Sequence, residues 1–187
     1  NNEANCAALG ERWKGTGARA DDLCYIAIGQ GVGSAIICDG ELIYGAACRA
    51  GEIGYLLGEI DQEMSNRNVL GEPGVMERKI WSTLTSCGLN LEQMFQAYVQ
   101  GKEPARGAVT YFIRDLARVI ANIASMLNPE VVVIGGIVAQ YMKPVLPDIR
   151  AVVGVLTPIP TRVELGSLGP WAAAMGAAFQ GSVHSKL

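Results

Sequence analysis

Histidine is nearly missing from these 187 residues: His184, in a polar tail beside Ser185 and Lys186, is the only one. Serine-protease and zinc-hydrolase chemistries need imidazoles placed in a site, so neither class has material to work with. A paired-cysteine motif is missing too. Cys6, Cys24, Cys38, Cys48 and Cys87 are odd in number and form no CxxC; several sit in apolar runs, which predicts reduced core thiols. Clustered positive charge is absent: the net charge is −3, and Lys and Arg are scattered. Direct DNA contact by this chain is therefore not expected, since neutralising phosphates along a duplex needs a basic stripe. No apolar run approaches the roughly 20 residues of a membrane span, and no basic-then-apolar leader opens the chain. A soluble cytoplasmic protein with no membrane partner is the expectation.

What is present is a core-forming composition, 50% apolar and 18% charged, with no internal repeat and no linker. One α/β unit over 1–187 is expected. Asn1 is not an initiator methionine, and the chain opens directly on a helix, which points to a segment of something longer. Ala4, Ala7, Ala8, Glu11 and Arg12 fall at helical spacing ahead of Gly15. Strands are predicted at 23–28, 35–38 and 41–44, the last two joined by Asp39-Gly40, so three antiparallel strands follow in series. Helical periodicity resumes at 74–86, 91–99 and 103–127. The last carries the stripe Val109, Phe112, Ile113, Leu116, Ile120, Ile123 and Leu127, and Asn128-Pro129 ends it. The β-branched run 131–134 reads as a strand buried on both faces, 138–153 as a helix interrupted around Pro144 and Pro147, 161–165 as the last strand, and 170–180 as a small-residue helix.

A hairpin with a third strand, then alternating helices and strands, is the order of an actin-like or ribonuclease-H-like lobe. The stretch IAIGQGVGSAII packs glycines between two apolar runs and reads either as a phosphate cradle or as an ordinary hairpin turn. Together NNEANCAALGE, IAIGQGVGSAIICDGELIYGA, AGEIGY, NPEVVVIGGIV and LGPWAAAMGAA resemble, in content and order, the ROK family of repressors, open reading frames and sugar kinases. The resemblance covers the C-terminal lobe, which has a sugar-kinase-type ATPase fold. It implies an N-terminal lobe, and in regulators a DNA-binding segment, upstream of Asn1.

The resemblance places Asn2 and Glu3 at the positions that hold the sugar, with Glu3 standing where kinases carry an aspartate as general base. The carboxylate is one methylene longer, which puts proton abstraction in question and leaves hydroxyl recognition open. Capping a helix is the alternative role for the Asn1–Asn2–Glu3 start. Glu52 stands where the family glutamate accepts from sugar hydroxyls; a buried carboxylate among glycine and isoleucine would need such donors, and an exposed loop acid is the alternative. Tyr55 can stack on a sugar, donate to it, or fill space.

For nucleotide, the resemblance points to Gly29, Gln30, Gly31 and Gly33 of the hairpin and to Gly135 and Gly136 on the adenosine side. Gln30 replaces a kinase threonine, and Ser34 and Ala35 replace glycines, so crowding by their side chains is expected to leave a vestigial phosphate loop. The family's zinc histidine position holds Tyr55, and its cysteine positions hold Asn68, Leu70 and Val75, while Gly71, Gly74 and Glu77 keep the frame. No zinc is expected, and hydrophobic packing of that loop is expected instead. ATP with magnesium belongs only to a kinase. The expected function is the sugar-effector-binding domain of a ROK-type transcriptional regulator, binding a small-molecule sugar or sugar phosphate as a homo-oligomer and reaching DNA only through an upstream segment. The alternative is the C-terminal lobe of a divergent ATP-dependent sugar kinase with Glu3 as base.

Overall fold

A computed structural model describes residues 2–57 and 69–184. The chain opens with α1 (Glu3–Lys14) and continues into strands β1 (Leu23–Ile28), β2 (Val32–Cys38) and β3 (Glu41–Ile43). Helices α2 (Val75–Thr85), α3 (Leu91–Val99) and α4 (Ala105–Leu127) follow, then β4 (Val131–Gly135), α5 (Leu146–Leu156), β5 (Arg162–Leu165) and α6 (Ala172–His184). The strands form one five-stranded sheet in the order β3-β2-β1-β4-β5. β1–β2 and β2–β3 are antiparallel, whereas β4 lies parallel to β1 and to β5. The sequence order thus yields the expected layout.

Period-two alternation splits the sheet between two cores. Cys24, Ile26, Ile28, Val132 and Ile134 face α2, α3, α4 and α5, while Leu23, Tyr25, Val131 and Val133 face α1 and α6. This is why 131–134 carries no polar position: each residue is buried on one face or the other. Each of these aliphatic side chains contributes about 1.5–3 kcal/mol relative to full exposure.

Local chemistry sets the helix ends. Asn2 caps α1, its side chain accepting from Asn5 N at 2.8 Å, and Gly15 closes the helix. Asn128 ends α4 in the left-handed conformation, its N–H returning to the Ala124 carbonyl at 2.9 Å. α4 buries its predicted stripe except at Leu127, which is 41% exposed because it lies in the last turn, beyond the sheet. The region after β4 also differs from expectation. A single 3-10 turn, Ala139–Tyr141, precedes α5, and Pro147 lies in the first turn of α5 rather than interrupting a longer helix, since that position needs no donor N–H. α2 is tied to α4 by an ion pair between Lys79 Nζ and the buried Asp115 carboxylate at 3.2 Å.

The cysteines are all free, and Cys24 is buried as expected. Cys38 and Cys48 are exposed, Cys38 as the last residue of β2 before the Asp39-Gly40 turn and Cys48 in a turn, so they are not core thiols. His184 falls in the last turn of α6, and its side chain lies outside the described residues. Among the described residues no helix is long and apolar enough to cross a membrane.

Candidate functional site

A cavity of about 650 Å³ opens where the N-terminus of α1, the β1–β2 turn, the loop after β3, the start of α2 and the end of β4 converge. It gathers Asn2, Glu3, Gly29, Gln30, Gly31, Gly33, Glu52 and Gly136, residues that come from four separate stretches of sequence. Tyr55 and Gly135 are not among its lining residues. The sheet explains the convergence: β1 is central, so the turn after it, the C-terminal end of its parallel neighbour β4 and the helix packed on its face meet at one end of the strands.

Each polar group has a definite attitude. The cap occupies the side-chain oxygen of Asn2, so capping and ligand contact are compatible, the amide nitrogen being left to donate outward. Glu3 stands in the first turn of α1, where the helix dipole favours its negative charge. Glu52 is exposed in the cavity wall, so its carboxylate carries no burial cost and the argument from buried charge does not apply to it. The loop that carries it is held by Gly51, at φ +88°, whose carbonyl accepts both the backbone N–H and the hydroxyl of Ser34 at 2.8 Å each. A β-carbon at Gly51 would collide with the Ser34 carbonyl oxygen, so glycine is required there on two counts.

That same hydroxyl corrects the expected crowding of the phosphate loop. Ser34 is 3% exposed and turned toward Gly51, Ala35 is fully buried in the core beneath α1 and α6, and neither lines the cavity. Strand alternation, which the glycine pattern obscures, sends Ser34 to the α2–α5 face opposite Ile26 and Ala35 to the α1–α6 face beside Tyr25, and neither side chain enters the cavity lining. The turn itself is closed internally, Gly29 N donating to the Gly31 carbonyl at 2.9 Å. A β-carbon at Gly31 would stand 3.5 Å from Glu77 Oε1, so the Glu77 carboxylate lies beside the turn.

Glu77 is the third carboxylate of the cavity and was not singled out as a contact residue from sequence. The signal was present, because Glu77 kept its place in the frame Gly71, Gly74, Glu77. Backbone layers bring it in: a β-carbon at Gly54 would approach the Val32 carbonyl at 2.7 Å and Glu77 Oε2 at 3.2 Å, and one at Gly74 would lie 2.8 Å from Tyr55 N. Tyr55 serves this stack rather than the cavity, its hydroxyl accepting from Gly71 N at 3.0 Å.

Zinc does not fit the described part of this loop. Leu70 and Val75 have no donor atoms, the Tyr55 oxygen is engaged by Gly71, and among the described residues no group of three or more His, Cys, Asp or Glu side chains is gathered to hold a metal ion. Asn68 and Asn1 lie outside the described residues. Hydrophobic packing does not replace ligation at Leu70 either: it is 63% exposed, on a turn before α2.

Tyr25 was also missed, as an aromatic inside a strand reads simply as core. Its pKa is pushed up to about 12, first by burial and then by the charges of Glu11 and Glu3, against the stabilising N–H of Gly136. It is a neutral phenol at the cavity floor.

A lobe of this order, with a carboxylate-lined cavity at the C-terminal ends of its central strands, is that of the actin-like ATPase fold in its sugar-kinase form. The ROK family model matches residues 1–180, and the chain belongs to the ROK family. A xylose repressor from Caldicellulosiruptor bescii is 30% identical over 172 residues, covering 81% of this chain and 43% of the repressor. A glucokinase from Halalkalibacterium halodurans is 31% identical over 169 residues, covering 80% of this chain and 51% of that protein. The chain thus spans about half the length of the curated relatives it matches. Among solved structures, a ROK glucokinase from Streptomyces griseus in complex with glucose and AMPPNP superposes with a TM-score of 0.77 at 23% identity, over 96% of this chain and 66% of that one. A ROK transcriptional regulator, a homologue of the Escherichia coli MLC protein, gives 0.76 at 24%, over 95% and 50%.

Proposed function

We propose that this chain is the sugar-effector-binding C-terminal domain of a ROK-type transcriptional regulator working without kinase activity. The observation that carries the reading is the convergence of Asn2, Glu3 and Glu52 on one cavity whose hairpin turn presents Gln30 in place of a kinase threonine. A saccharide offers hydroxyls that donate to the carboxylates and accept from the Asn2 amide. Each such bond to a charged partner contributes about 1.5–3 kcal/mol. The ligand would bridge α1, the Glu52 loop and the start of α2, and a sensor needs only that this bridge favour one conformation over another. In this reading the protein is cytoplasmic and homo-oligomeric. DNA is contacted through a segment upstream of this chain, and neither zinc nor nucleotide is a working cofactor.

The second reading is the C-terminal lobe of a divergent ATP-dependent sugar kinase, which the glucokinase relative favours. Glu3 would then take the proton from the attacking hydroxyl, with the phosphate loop and magnesium ligands supplied from outside this chain. ADP release from ATP over a panel of hexoses, measured on the protein at its full natural length, separates the two. The regulator reading predicts no sugar-dependent ADP and a sugar-dependent change in operator binding. Turnover that is abolished in Glu3→Gln with sugar binding spared would establish the kinase; turnover that survives excludes Glu3 as the base.

A further inference from the structure

Tyr25 brings a phenol hydroxyl from inside the sheet to the cavity. Strand alternation turns it toward α1, where it is 3% exposed, and its oxygen lies over Gly135, a position at which a β-carbon would collide with it. The N–H of Gly136, the residue after β4, approaches that oxygen and favours its acceptor side, which turns the phenol proton toward another partner. Buried phenols place that proton on a partner. Tyr25 lines the cavity together with Glu3, whose charge is near enough to be felt by the phenol.

We propose that Tyr25 is a ligand-contacting residue, its hydroxyl donating to a saccharide hydroxyl that itself donates to Glu3. A phenol donor and a carboxylate acceptor facing one space are both satisfied by a hydroxyl group, which gives and takes at once. A ligand carboxylate or phosphate would accept from Tyr25 but repel Glu3, and an ammonium would satisfy Glu3 while leaving the phenol proton unspent. The pair therefore selects for an uncharged hydroxyl at the cavity floor. This rests on the saccharide reading of the site.

The test is a calorimetric titration of D-glucose and D-xylose into the protein at its full natural length, wild type against Tyr25→Phe, with deoxy analogues of whichever sugar binds. Expected is a loss of about three- to tenfold in affinity for the parent sugar in Tyr25→Phe. One deoxy analogue should bind both proteins alike, because the hydroxyl that Tyr25 reads is already gone. Equal affinity of wild type and variant for the parent sugar overturns the proposal and leaves the saccharide reading standing. No heat with either sugar in the wild type removes both. Should Tyr25→Phe not fold, wild-type protein labelled at the tyrosine ζ-carbon gives the answer: the Tyr25 resonance moves on saturation with sugar, and one that stays still overturns the proposal.

Discussion

Gly10 of α1 and Gly176 of α6 meet backbone to backbone: a β-carbon at Gly176 would stand 2.9 Å from Gly10 N, and one at Gly10 would stand 3.1 Å from Gly176 N. The first would also collide with the Cys6 carbonyl and the second with the Ala172 carbonyl. Two small-residue helices can approach this closely only because neither carries a side chain at the crossing, and α1 is the helix that delivers Asn2 and Glu3 to the cavity. In an ordinary helix a Gly→Ala change stabilises by about 1 kcal/mol. Here Gly176→Ala should reverse the sign and cost about 1–3 kcal/mol through forced separation of the helices. Urea denaturation checks the sign directly.

A second prediction concerns the loop stack. Tyr55→Phe removes only the hydroxyl that accepts from Gly71 N, leaving the ring in place. Exchange of the Gly71 amide should accelerate about tenfold, as expected for the loss of a bond of about 1–1.5 kcal/mol. The amides of β1 should be unaffected. Residue-resolved hydrogen exchange reads both.

Glu11 supplies a third. Its carboxylate is 1% exposed and accepts from Thr16 N at 2.8 Å, Ser167 N at 3.2 Å and Leu168 N at 2.8 Å, clamping the end of α1 to the loop before α6. Glu11→Gln keeps the shape but sets an amide donor against these donors. A loss of about 1–3 kcal/mol is expected by chemical denaturation, whereas Glu11→Asp, too short to reach all three, should cost a similar amount.

Alkaline stability follows from Cys24 and Tyr25. Burial pushes the Cys24 thiol from 9.0 up to about 12 and the Tyr25 phenol from 10.0 up to about 12. Between the unfolded and folded values the unfolded chain has lost protons that the native state retains, so the contribution is full below pH 9 and is lost as pH rises toward 12. Denaturation midpoints should fall from about pH 9 upward, and Tyr25→Phe should flatten the part of that slope above pH 10.

Much of the fold is legible in the sequence, because β1, β4 and α4 announce themselves by burial pattern and α1 and α4 by their end residues, whereas β2 begins at Val32, ahead of the expected 35–38, because its first pairs lie in the glycine-rich turn. The fate of Ser34 is not. A glycine-rich turn obscures strand alternation, and only the register Ile26 opposite Ser34 shows which way the hydroxyl points. Glu77 and Tyr25 escaped for different reasons. Glu77 is brought in by backbone layers between Val32, Gly54 and Gly74, which leave no mark beyond the glycines themselves, and Tyr25 looks like any strand aromatic until its neighbours across the sheet are known. Pro147 reads as an interruption in the sequence because a helix-starting proline and a helix-breaking one look alike until the helix boundary is seen.

The central proposal is that the cavity binds a saccharide through its carboxylates. Its most direct measurement is calorimetry of D-xylose and D-glucose against the protein at its full natural length and its Glu52→Gln variant. Saturable binding of at least one sugar, weakened about tenfold or more in the variant, is the predicted result. Binding by neither sugar, or binding that Glu52→Gln leaves unchanged, would contradict it.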